Sequence, residues 1–245
     1  DSSYSERVNI AQEKHTVILE ALQKRLDLVK TSIAEAESVQ IHTFLREGEV
    51  DENIFELSEE KGIDLIVMGT FGINGLKDRI WGSKTAGLTG KTNVPVMVIP
   101  YEYNWKVPEK ILLATSFFEE DRNVLEPITG LTDAFKATLH TIIFTDEDTA
   151  DAALFLERGM NMADYERKLK KLLNTESIIT GHLSGSKFED TLQDYIKNND
   201  IDILTMISYQ RSLWDRIFHP SVTRRMSYHT TIPLLVIPAN KKGEE

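Results

Sequence analysis

Two stretches of this chain carry the same order of features 138 positions apart, and nothing else in the sequence limits the fold so tightly. The first runs Ile63-Asp64-Leu65-Ile66-Val67-Met68 and later Val94-Pro95-Val96-Met97-Val98-Ile99-Pro100. The second runs Ile201-Asp202-Ile203-Leu204-Thr205-Met206 and later Ile232-Pro233-Leu234-Leu235-Val236-Ile237-Pro238. Both the Asp pair (202 − 64) and the Pro pair (233 − 95) give 138, a domain-sized period and far longer than that of a solenoid. Short, nearly continuous apolar runs alternating with polar helical stretches indicate parallel strands covered by helices on both faces. The expected fold class is therefore α/β, with two doubly wound parallel-sheet domains in tandem.

The expected organisation is a first domain over residues 1–100, a linker over 101–108, a second domain over 109–240 and a polar tail over 241–245. In the second copy, strands are expected near Lys110–Thr115, Ala137–Thr145, Ser177–Thr180, Asp202–Ile207 and Pro233–Ile237. Helices are expected at Arg122–Phe135, within Asp148–Leu173, at Phe188–Asn198 and at Val222–Thr230. Glu6–Thr31 reads as a helix whose stripe of Val17, Leu19, Leu22, Leu26, Val29 and Ile33 has a structural role, with Lys24, Arg25 and Lys30 on the wet side. The repeat offset places the first copy's opening strand ahead of Asp1. The expectation is that the first copy lacks its first strand, first helix and most or all of its second strand, and that Asp1 is not the natural N-terminus.

Composition narrows the classes of partner. The formal charge of −11 opposes non-specific attraction to nucleic acid or anionic membrane. No run approaches the roughly 18 apolar residues of a membrane span, and the charged start Asp1–Arg7 is not expected to act as a signal peptide. Zero cysteines exclude disulfides, thiolate metal sites and cysteine nucleophiles, and favour a cytoplasmic address. The six histidines show no paired metal-ligand spacing.

Chemistry concentrates after the first Ile-Asp strand. There the chain reads Met68-Gly69-Thr70-Phe71-Gly72, then nine residues, then Gly82-Ser83-Lys84. Gly69 and Gly72 let the backbone turn sharply and approach a polyphosphate with N–H groups exposed, and Gly82 does the same at the next helix start. Ser83 can cap that helix or bind phosphate at the positive end of its dipole. Lys77, Arg79 and Lys84 add local positive charge. Thr85–Thr92 looks like a Walker loop, but threonine replaces its first glycine and it leads from helix to strand, the reverse of that motif.

The spacing G-x2-G-x9-G-[S/T] at this place resembles the universal stress protein family, whose ATP-binding members carry it. The resemblance implies an adenine-nucleotide α-hydrolase-like fold and a cofactor site for ATP or AMP, with or without magnesium, at Met68, Gly69, Thr70, Phe71, Gly72, Gly82, Ser83 and Lys84. Phe71 stands where many members have histidine. The second copy departs further, because Ile207–Ser221 keeps the Leu-x-Asp-Arg-Ile pattern of Leu76–Ile80 but has no glycine, and Ser116 stands where the family's first-strand aspartate is expected. The second domain is not expected to bind ATP in the family manner.

The cluster of Tyr209, Arg211, Trp214, Arg216, Phe218, Arg224 and Arg225 reads as a packed loop and a solvated helix start. His219 and His229 read as surface or packing residues, and Asp146-Glu147-Asp148 as a solvated turn. No metal ligands or catalytic residues are assigned. The leading function is a nucleotide-binding regulatory protein acting in stress adaptation. The alternatives are an assembly module without ligand and, last, a slow ATPase lacking an assignable general base. The resemblance also implies a homo-oligomer or an intramolecular pairing of edge strands, Val96–Ile99 against Leu234–Ile237.

Overall fold

The computed structural model describes residues 2–69, 92–100, 103–148, 150–208 and 231–239. The chain divides into two compact units, Asp1–Glu49 and Val50–Glu245. The first unit is a long helix, α1 (Ser2–Glu37), followed by irregular chain. The helix stops where Ser38 turns left-handed, at φ 54°. Within this unit His15 Nε2 meets Glu47 Oε1 at 2.6 Å. Of the expected apolar stripe, Leu19 and Leu26 are half-buried, whereas Val17, Leu22, Val29 and Ile33 are exposed.

The second unit is built on one seven-stranded sheet in the order β1-β2-β7-β6-β3-β4-β5. Helix α2 (Val50–Lys61) leads through Gly62, at φ +60°, into β1 (Ile66–Gly69). The other strands are β2 (Val96–Ile99), β3 (Lys110–Thr115), β4 (Thr138–Asp146), β5 (Ile178–Gly185), β6 (Ile203–Ser208) and β7 (Leu234–Pro238). Helices α3 (Arg122–Phe135), α4 (Ala152–Leu173) and α5 (Phe188–Asn198) alternate with them. Neighbouring strands run parallel except at one junction, where β2 and β7 are antiparallel.

Alternation along each strand feeds two cores. On one face Ile111, Leu113, Leu139, Ile143 and Ile203 pack under Val124, Leu125 and Ile128 of α3 and Tyr165 and Leu169 of α4. On the other, Leu112, Ala114, Ile142 and Leu204 meet Leu192 of α5, and Ile54 and Phe55 of α2 lie against the same cluster. Strands buried on both faces need no polar alternation, which is why they read as continuous apolar runs. Asp121 caps α3 by accepting from Asn123 N, and Lys136 ends it at φ 55°. Asp151 caps α4 in the same way, accepting from Leu154 N.

The expected pairing of the two proline-flanked strands is present in this sheet. Val96 faces Val236, Met97 faces Leu235 and Val98 faces Leu234. Met97 and Leu235 are themselves 138 positions apart (235 − 97), so the contact is self-complementary about that pair. These strands end their own copies but lie inside the joint sheet. The linker is held to the second copy. Trp105 packs on Phe135, and Lys106 Nζ forms an ion pair with Asp202 Oδ1 at 2.5 Å.

Candidate functional site

Doubly wound sheets bind ligands outside the carboxyl ends of their strands, where the strand order reverses. Because β2 and β7 are antiparallel, the carboxyl ends of β1 and β2 lie on the opposite edge of the sheet from those of β3 to β7. The carboxyl ends of the two copies' strands therefore lie at opposite ends of the sheet. In the first copy Gly69 closes β1 at its carboxyl end and is exposed. A Cβ added there would meet nothing within 4 Å among the described residues, so packing does not demand glycine at this point. Met68, one residue earlier, is half-buried and packs against the second core.

Thr70, Phe71, Gly72, Gly82, Ser83 and Lys84 lie outside the described residues, as do Lys77 and Arg79. The Walker-like segment lies outside them up to Lys91. Its last residue, Thr92, is buried and accepts a hydrogen bond from Val94 N at 3.0 Å, serving the turn into β2. The aromatic and basic residues between Tyr209 and Arg225, the expected helix Val222–Thr230, His219 and His229 also lie outside.

The second copy's carboxyl edge holds an arginine that sequence reasoning missed. Arg158 reaches from α4 across two strand ends. Its Nη1 donates to Phe144 O at 2.8 Å and Thr145 Oγ1 at 2.6 Å, and its Nη2 donates to Ser116 O at 2.6 Å. Ser116, exposed just past β3, thus lends its carbonyl to a side chain of the same domain. Thr145 Oγ1 also meets His182 Nε2 at 2.8 Å. Burial and the nearby Arg158 charge both hold His182 below its ordinary pKa. Burial likewise lowers Arg158, against a smaller opposing pull from Glu157. Phe155 lies over the His182 ring at 4.8 Å.

The acidic run beside this cluster forms a turn. Asp146 Oδ1 accepts from Asp148 N at 2.9 Å, and Glu147 Oε1 accepts from Ser184 Oγ at 2.6 Å. No group of carboxylates and imidazoles arranged to hold a metal occurs among the described residues. Nor is any described helix long and apolar enough to cross a membrane.

A family model described as the universal stress protein family matches residues 2–100 and again 108–238. A universal stress protein of Methanocaldococcus jannaschii is 40% identical over 77 residues, covering 31% of this chain and 45% of that protein. Universal stress protein YxiE of Bacillus subtilis is 36% identical over 76 residues, covering 31% of this chain and 51% of that protein. The matched part thus spans about half the length of these relatives. Among solved structures, a universal stress protein from Archaeoglobus fulgidus superposes with a TM-score of 0.63 at 19% identity, covering 91% of this chain and 78% of that one. A Pseudomonas aeruginosa protein of unknown function gives 0.56 at 16% identity, with the same two coverages. Both structures share the fold. With its model matched twice along the sequence, the chain belongs to the universal stress protein family.

Proposed function

We propose that the chain is a cytoplasmic regulatory protein of stress adaptation that binds ATP or another adenine nucleotide, with or without magnesium, through the loop from Met68 to Lys84. The observation that carries this reading is the position of Gly69 at the open carboxyl end of a parallel strand, where the glycine spacing of the motif begins. Family membership supports the ligand class, and the lack of cysteine fits a reducing compartment. The second copy is not assigned a nucleotide, because its loop lacks the glycines and Arg158 already ties the end of β3 to β4.

Calorimetric titration with ATP, and separately with AMP, tests the reading. Binding is expected, and Gly82→Val should abolish it by putting a branched side chain where phosphate must approach. No heat and no thermal shift at about millimolar ligand, corresponding to a binding energy of only about 4 kcal/mol, would overturn it. That result would favour the assembly module, for which the β2–β7 pairing is the specific support. Phosphate release above background, lost in the same variant, would identify a slow ATPase.

A further inference from the structure

Helix α4 is apolar on the pole that faces away from the core as well as on the pole that faces it. Tyr165 and Leu169 are buried against the sheet, 2% and 0% exposed. Leu156 and Met160 each stand nine residues before one of them, which is two and a half helical turns and so the opposite side. They are 61% and 82% exposed. Their neighbours on that pole are small, for Ala152, Ala153, Gly159 and Ala163 are exposed too. A helix lying on a sheet needs one apolar stripe, and its outer pole is ordinarily charged. Here the outer pole is a second stripe.

Charge divides along the same helix. The turn leading into α4 and its first half carry Asp146, Glu147, Asp148, Asp151 and Glu157, and Arg158 offsets only part of this. The last two turns carry Arg167, Lys168, Lys170 and Lys171. Asp164 and Glu166 lie in that second half and are held by it. Asp164 pairs with Arg167 at 3.2 Å, and Glu166 pairs with Lys170 at 2.9 Å. The helix is thus acidic at its start, apolar in the middle of its outer pole and basic at its end.

We propose that the outer pole of α4 is a docking surface for the same pole of α4 in a second copy of this chain, with the two helices antiparallel. Charge fixes both the partner and its direction. Parallel pairing would set acid beside acid and base beside base. Antiparallel pairing sets the acidic start of each helix beside the basic end of the other and opposes the two helix dipoles. With the two-fold axis level with Met162, Glu157 of one copy lies level with Arg167 of the other, because both are five residues from the axis. Leu156 and Met160 then fill the space that Gly159 and Ala163 leave open, and these small residues let the helices approach closely. One helix from each copy makes a contact below about 1,200 Å² in total, the range of weak and reversible association. The surface belongs to the second copy, so the inference is independent of nucleotide binding by the loop from Met68 to Lys84.

The test is sedimentation equilibrium of the full 245-residue chain from about 1 to about 300 micromolar. The mass is expected to rise from that of one copy to that of two. Met160→Glu and Leu156→Glu should each weaken the association about ten-fold or more by burying a carboxylate in the contact. Both side chains are exposed, so both variants should melt like the parent chain. Glu157→Arg alone should weaken the association about ten-fold, and adding Arg167→Glu should restore it, because every cross-helix pair is then reversed. Parallel helices would set residue 157 beside itself and show no such restoration. A mass that stays at one copy over the whole range overturns the proposal. So does an association that both glutamate variants leave unchanged, or one that the second charge reversal fails to restore.

Discussion

Asp202 shows how a single buried carboxylate can fasten a strand and a linker together. Burial by itself would raise its pKa, but the Lys106 ammonium and the N–H groups of Glu109 and Lys110 outweigh that and hold it below the ordinary value. An acid depressed on folding adds stability above its unfolded pKa of about 4, and that contribution disappears as pH falls through the folded value. Asp202→Asn should therefore cost about 2 kcal/mol in urea melts at neutral pH, and the gap to the parent chain should narrow below about pH 4. A gap constant from neutral pH to strongly acid conditions would show that the charge is not what holds β3. Thr205 makes the opposite case. It is fully buried in mid-sheet, and among the described residues its hydroxyl has no hydrogen-bond partner. Thr205→Val keeps the shape and removes an unpaired polar atom, so it should raise stability by about 1 kcal/mol in the same assay.

At the scale of elements, the β2–β7 junction depends on Met97, which is 4% exposed and packs in the first core. A carboxylate there would be buried at the centre of the contact without a partner. Met97→Asp should lower stability by about 3 kcal/mol, read from the denaturation midpoint. Both strands of this junction were legible in the sequence because they are short, apolar and flanked by proline, whereas their pairing was what the family resemblance implied. The ends of α3 and α5 were legible too, α3 being bracketed by Asp121 as cap and a left-handed Lys136. The length of β5 was not. Its second half, Gly181-His182-Leu183-Ser184-Gly185, has weak strand propensity and is extended by pairing with Ile142–Asp146 of β4. Arg158 was illegible for a related reason, since its partners lie 13, 14 and 42 positions away and only the fold brings them together. Of the proposed phosphate loop, the sequence supplied the whole glycine pattern, and the structure describes only its first two residues, Met68 and Gly69.

Taken whole, the sheet of the second unit is two parallel runs joined antiparallel across Met97 and Leu235. A self-complementary contact of this kind between separate molecules would form or dissolve with protein concentration. Here both strands belong to one chain, so each meets the other at an effective concentration on the order of millimolar, whatever the amount of protein. Dilution cannot separate the halves. The contact also uses up both strand edges, so a further molecule cannot enter the sheet between the two copies. The two copies remain joined through one continuous sheet at the lowest abundance as at the highest.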